Sequence, residues 1–255
     1  MIEVAIDPEV AAAFPSYRAL IVVAEGLANG PTDAASEALL RAAERAHRDA
    51  AADAGADRGP ATAAGAPPRR TPAALTPLER ATDHPHVAAW RAAFSAFGAK
   101  PSRFPSSVEA LLARVLKSQG LPRVNRLVDL YNAISVLHVV PVGGEDLDRI
   151  EPPMRLVRAQ GDEPFDVREA EAVEHPRPGE VVWRDARGVT CRRWNWRQGR
   201  RTALTEATTR ALFVFDRLEP MSLPQLDEAA DDLDGHLEAW WPGARTQRLL
   251  LGGSR

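Results

Sequence analysis

Leu121-Pro-Arg-Val-Asn-Arg-Leu-Val-Asp-Leu-Tyr-Asn-Ala-Ile-Ser-Val-Leu-His-Val-Val-Pro-Val-Gly-Gly-Glu-Asp146 sits at the middle of the chain and changes character along its length. Asn125 leads into a helix expected over 126 to about 135. The apolar run 136–140 then reads as a strand, stopped by the turn signal Pro141-Val-Gly-Gly-Glu-Asp146. Upstream, 106–117 reads as a second helix. Ser106 is its expected N-cap, Glu109 completes a capping-box signature, and Val108, Leu111, Leu112, Val115 and Leu116 give it an apolar face. Helix signals also cover 78–97 and 36–52. At the N-terminus, Ile2, Val4 and Ile6 alternate as a strand. Asp7-Pro8 opens a short helix to about 14, and 17–24 is a buried-strand run. Downstream, 154–159 alternates, 171–215 holds several strand-like pieces punctuated by Pro and Gly, and 224–241 is a helix with an acidic side. Helices and strands mix without a βαβ rhythm. The expectation is an α+β fold, a mixed or antiparallel sheet core with flanking helices, forming one domain over 1–255. Residues 54–76 are rich in Gly, Pro and Ala and poor in large apolar side chains, and are expected to form a flexible insertion.

Composition narrows the class. The chain has 255 residues, a net charge of −3, 45% hydrophobic and 26% charged residues, which is ordinary globular usage. The single Cys191 excludes an intramolecular disulfide framework and cysteine-cluster zinc sites. A reducing, cytoplasmic setting is expected. The N-terminus lacks the basic-then-apolar pattern of a signal peptide, and no apolar run approaches the length needed to span a bilayer. The richness in Ala, Arg and Pro is that of a high-GC bacterial coding bias.

Positive charge is concentrated in Arg184-Asp-Ala-Arg-Gly-Val-Thr-Cys-Arg-Arg-Trp-Asn-Trp-Arg-Gln-Gly-Arg-Arg201, which places seven arginines and two tryptophans in eighteen residues. Two readings stay open. Arg192, Arg193, Arg197, Arg200 and Arg201, with Trp194 and Trp196, form a nucleic-acid contact, since guanidinium groups bind phosphate and aromatic faces stack on bases. Alternatively, the segment is a twisted strand whose tryptophans pack in a core. Lys100, Arg103 and Arg114 form a second basic set, read either as a nucleic-acid backbone contact or as plain solvation. Other catalytic templates are missing: there is no Gly-x-Ser-x-Gly elbow, no phosphate loop and no His-Glu-x-x-His motif. His84 and His86 are spaced i,i+2 and read as helix-start capping or surface residues.

Four ordered blocks carry a family resemblance: His86-Val-Ala-Ala-Trp-Arg-Ala-Ala-Phe-Ser-Ala-Phe-Gly-Ala-Lys-Pro-Ser-Arg103; Ser107-Val-Glu-Ala-Leu-Leu-Ala-Arg with 121–135; Pro141-Val-Gly-Gly-Glu-Asp-Leu; and Pro178-Gly-Glu-Val-Val-Trp through Cys191–Gln198. Together they resemble the free-standing B3/B4 domain proteins, similar to the B3/B4 editing module of the bacterial phenylalanyl-tRNA synthetase beta chain. The likeness covers about 85–215 best. It implies a B3/B4-type fold, a tRNA or aminoacyl-tRNA partner, and hydrolysis in trans of the ester of a mischarged tRNA. No cofactor, no metal, no membrane and no DNA partner are expected. Two rivals remain: a tRNA-binding module without catalysis, and an amino-acid or small-metabolite binder that keeps the pocket.

The resemblance also assigns pocket residues. Val128-Asp-Leu-Tyr-Asn132 resembles the family's Val-Asp-x-Thr-Asn, placing Asn132 in the pocket. Gly143 stands where the family has a histidine, and Gln198 where the family has a glutamate. The expected pocket is therefore Asn132, the Gly143-Gly144 turn and Gln198. Glu145 or Asp146 would position a water, and the paired glycines would offer backbone N–H groups to an oxyanion. The other reading of Asn125, Asp129 and Asn132 is that they cap or brace loops. The amino acid, the tRNA and the oligomeric state are not set by the sequence.

Overall fold

The computed structural model describes residues 2–53, 78–167 and 173–253; the expected insertion at 54–76 lies outside them. In chain order the elements are β1 (Val4–Ile6), α1 (Pro8–Ala13), β2 (Arg18–Glu25), α2 (Ala34–Asp53), α3 (Pro85–Ala96), α4 (Ser107–Leu116), α5 (Arg126–His138), β3 (Val142–Asp146), β4 (Met154–Arg158), β5 (Phe165–Asp166), β6 (Val173–Glu174), β7 (Val181–Arg184), β8 (Val189–Arg192), β9 (Arg197–Gln198), β10 (Arg210–Arg217), α6 (Leu223–Trp240) and β11 (Arg245–Leu251). One sheet has the order β1-β4-β7-β8-β9 and a second has β11-β2-β10-β3, with β5-β6 as a separate ribbon. Among the described residues only β1 and β4 pair in parallel; the other pairs are antiparallel. The fold is α+β, mixed and antiparallel, as the sequence leads one to expect.

Strand alternation splits the core. From β2 and β10, Leu20, Val22, Phe213 and Phe215 face α5 and α6, against Leu130, Ile134, Leu226 and Leu233. Ile21, Leu212 and Val214 face the other way and meet Met154, Leu156, Val181 and Trp183 of the first sheet. Period 2 along a strand puts both sets on one element. The second sheet is thus sandwiched between helices and the first sheet.

Two assignments change. The run 136–140 is not a strand: α5 continues to His138 and closes at Val139, whose φ is 48°. The helix passes through the interior, and all residues from Leu127 to Val136 are buried. A helix buried on every side loses the polar stripe that separates it from a strand. The strand falls instead on Val142–Asp146, so Gly143-Gly144 is strand interior and not a turn. The strand β11 is not anticipated in the sequence at all, and its pattern is mostly exposed.

Candidate active-site cavity between the sheets

β3 is an edge strand. Its inner neighbour is β10, in the register Gly143↔Val214 and Gly144↔Phe213. Gly143 and Glu145 share the face turned toward the first sheet, and so do Val214 and Asp216. Opposite them come Trp183 of β7, Cys191 of β8 and the loop leading to β9. The start of α4 and one side of α5 close the end. A cavity of about 330 Å³ lies between these walls, lined among others by Asn132, Gly143, Glu145, Gln198, Trp196 and Asp216. Three expected pocket residues, Asn132, Gly143 and Gln198, therefore come together from α5, β3 and β9.

The fourth, Gly144, faces the other side. A Cβ there would stand 2.7 Å from Leu204 Cδ1 and 3.0 Å from Tyr131 Cε1, whereas a Cβ on Gly143 would meet nothing within 4 Å. Of the two glycine N–H groups expected to face the pocket, alternation leaves only one pointing out of the sheet. Pro141 O accepts from Asp216 N on β10, while Asp146 N donates to Thr202 O on the outer side. Val142, Gly144 and Asp146 thus turn their backbone groups away from β10. Gln198 Nε2 reaches in from that outer side. It donates to Gly144 O and, at 2.7 Å, to Glu145 Oε2.

Two buried acids face the cavity. Burial pushes the Glu145 carboxyl up to about 7, against the nearby Thr202 and Thr190 hydroxyls, the Gln198 amide and the charge of Arg201. Burial likewise pushes Asp216 up to about 7, against the bonds it accepts from Tyr17 Oη at 2.5 Å and Asn195 Nδ2 at 3.1 Å. Asp216 and Asn195 are absent from the sequence-based site. The only signal was an acid closing the apolar run Phe213-Val-Phe215. Asp146 turns away from the cavity. It accepts from Thr208 Oγ1 at 2.7 Å and Asp148 N at 3.1 Å, which makes it a brace. Cys191 lines the cavity, but burial, then the charges of Glu145 and Asp216, push its thiol well up. Its arginine neighbours in sequence do not turn it into a thiolate.

The arginine-tryptophan segment divides between core and surface, and the core takes more of it. Arg192 is 5% exposed and pairs with Glu180 through Nε at 2.9 Å and Nη2 at 3.0 Å, and with Glu174 at 2.7 Å. Arg193 is 7% exposed and lies over the rings of Phe104 at 3.7 Å and Trp196 at 4.4 Å. Burial lowers it to about 10. Trp194 is fully buried among Tyr17, Phe14 and Trp90, with ring centroids 4.7–5.1 Å away. Arg201 holds Asp185 at 2.7 and 2.8 Å. Arg192, Arg193, Trp194 and Arg201 are therefore structural in this fold, because buried acids and aromatic rings claim them. Trp196 and Arg197 are half-buried on the cavity wall, and Arg200 is exposed. Lys100, Arg103 and Arg114 are also exposed.

The remaining polar candidates brace the walls. Asn125 caps α5 by accepting from Val128 N at 3.0 Å and donates to Leu204 O at 3.2 Å. Asp129 accepts from Thr32 and Ser36 hydroxyls and from Val124 N. Glu109 does not close the capping box. Ser106 caps α4, while Glu109 pairs with Arg91 at 2.6 Å. His84 caps α3 through His86 N. Among the described residues no group of three or more His, Cys, Asp or Glu is placed to hold a metal, and no helix is long and apolar enough to cross a membrane.

Comparison with known proteins gives one family. The B3/4 domain profile matches residues 89–229. Among solved structures, the chain is similar to an N-terminal fragment of the phenylalanyl-tRNA synthetase beta-subunit from Pyrococcus horikoshii, at 11% identity and a TM-score of 0.46, covering 98% of this chain and 54% of that one. The chain spans about half the length of that fragment. No curated protein matches. The profile takes in more than half of the chain, from α3 into α6, and every wall of the cavity, so the chain belongs to the B3/4 domain family.

Proposed function

We propose that this protein binds aminoacyl-tRNA and hydrolyses the ester of a mischarged one in the cavity between its sheets. The observation that carries this reading is the convergence of Asn132, Gly143 and Gln198 on one space of about 330 Å³. An aminoacyl ester on a ribose is already activated, so a cavity that orients it and supplies polar contacts to the developing oxyanion needs no nucleophilic side chain. Asn132 offers an amide to the amino group or the ester carbonyl. Gly143 leaves the floor open where a side chain would stand. Exposed cations frame the approach. Arg114 lies one turn from the cavity-lining Ala110 and Leu111 on α4. Arg103 sits over Phe104 at 5.2 Å, and Phe104 packs edge-on against the rim residue Trp196 at 4.9 Å.

Neutral groups at positions 143 and 198, where the family carries a histidine and a glutamate, favour a second reading: tRNA binding without hydrolysis. A deacylation panel of mischarged tRNAs at low salt separates the two. The expected result is hydrolysis of at least one, with Asn132→Ala slowing it roughly ten- to a thousand-fold and leaving tRNA affinity intact. Tight binding with no hydrolysis anywhere in the panel selects the binding module.

A further inference from the structure

Most of the acids buried in this part of the molecule have an evident structural task. Asp185 takes a bidentate Arg201, Glu180 takes Arg192, Glu163 accepts the N–H groups of Gln160 and Gly161, and Asp216 holds Tyr17 and Asn195. Glu145 differs. It is 4% exposed, forms no ion pair among the described residues, and is gripped at one oxygen by the neutral Gln198 amide. Both N–H groups of that amide are spent, on Glu145 and on Gly144 O, so the carboxyl is held in a fixed direction. It borders the cavity beside Gly143, where nothing fills the space of a side chain. A buried carboxyl without an ion pair costs stability, and the Thr202 and Thr190 hydroxyls, the Gln198 amide and the charge of Arg201 offset that cost only in part. We infer that Glu145 is the general base and then the general acid of this cavity, acting on the water that attacks an ester carbonyl. The inference rests on the hydrolase reading above.

The step balances within the site. Water forms a C–O bond to the carbonyl carbon while its proton passes to the Glu145 carboxylate. The tetrahedral adduct then collapses and breaks the C–O bond to the ribose. The departing ribose oxygen takes the proton back from Glu145, leaving free amino acid, a free hydroxyl and the carboxylate restored. A carboxyl raised to about 7 by burial is basic enough for the first transfer and acidic enough for the second.

The test is Glu145→Gln in the full chain, assayed on the tRNA the wild type deacylates and on the matching aminoacyl methyl ester. The expected result is kcat down by about 10²- to 10⁴-fold on both, with KM and the melting transition little moved. Wild-type kcat should rise with pH through a limb near 7, and that limb should vanish in the variant. Glu145→Asp, which retains the carboxyl, should recover part of the rate and keep a limb. Infrared difference spectra across the same pH range should show one carboxyl C=O band in the wild type that Glu145→Gln lacks. An active wild type with an equally active Glu145→Gln overturns this assignment and leaves the hydrolase reading standing. Unfolding of both variants with the limb intact in residual wild-type-like activity also overturns it, in favour of a structural acid. A wild type inert toward every mischarged tRNA and every ester overturns both.

Discussion

Gly143 and Gly144 are adjacent and chemically identical, yet the strand gives them opposite duties. Gly144 is packed against Leu204 and Tyr131, where an added methyl would stand 2.7–3.0 Å from carbon atoms of both. Gly144→Ala should therefore overpack the core and cost about 1–3 kcal/mol in urea unfolding. Gly143→Ala should leave stability almost unchanged and slow turnover, because its methyl enters the cavity. Equal stability losses for both would contradict the strand alternation. The buried acids add a pH signature. The folded state raises Asp216 from 3.8 to about 7, so between those values the native protein binds more protons than the unfolded chain. Its contribution to stability is greatest at low pH and is lost as pH rises toward 7, by up to about 1.4 kcal/mol per unit. His84 works in the opposite sense, since burial lowers it to about 4 and its contribution grows as pH rises from there toward 6.5. The clean readout is the difference between wild type and Asp216→Asn. That difference should fall from pH 4 to 7 and level off above. A flat difference would mean that Asp216 stays ionised in the fold.

At the scale of elements, α5 decides where the site is. Asn125 ends the approach loop, caps the helix and ties it to Leu204 O, and Asn29 donates to its Oδ1 at 3.1 Å. Removing this cap in Asn125→Ala should cost about 1–2 kcal/mol, measured by thermal or urea unfolding, and loosen the wall that holds Asn132. A loss under a few tenths of a kcal/mol would show that the tertiary ties carry no weight. The residue types around Asn125 made this start legible in the sequence. The end was not legible. Every residue from Leu127 to Val136 is buried, so no polar stripe marked 136–138 as helix. Without the helix end, the glycine pair read as a turn. The four-block resemblance still put Asn132, Gly143 and Gln198 in one pocket, because it reported positions without needing the local conformation. Asp216 stayed invisible for a different reason. Its significance comes from β10 lying beside β3, a pairing across about 70 residues of sequence that no local pattern encodes.

Over the whole molecule, local charge density turned out to be a poor guide to surface charge. The stretch richest in arginine spends Arg192, Arg193 and Arg201 on the buried acids Glu180 and Asp185. Those acids lie in the same 178–201 region, so part of its apparent excess is neutralised on folding. Of the cations read as RNA contacts, Lys100, Arg103, Arg114 and Arg200 stay exposed. If tRNA is the partner, the counterions it releases should match this exposed set and not the count of arginines in 184–201. Each Lys or Arg that neutralises an RNA phosphate contributes roughly 0.7–0.9 to the slope of log affinity against log salt. Replacing Arg103, Arg114 and Arg200 together by Ala should weaken tRNA binding and flatten that slope by about two, with the fold intact, because none of the three holds a buried acid. Arg201→Ala should do the reverse. It strands Asp185, which is 2% exposed, and destabilises the protein by about 3–5 kcal/mol. At temperatures where the variant stays folded, the slope should hardly change. If the triple variant binds tRNA with the wild-type slope, the RNA lies on another face, and the cavity then opens to a smaller ester than an aminoacyl-tRNA.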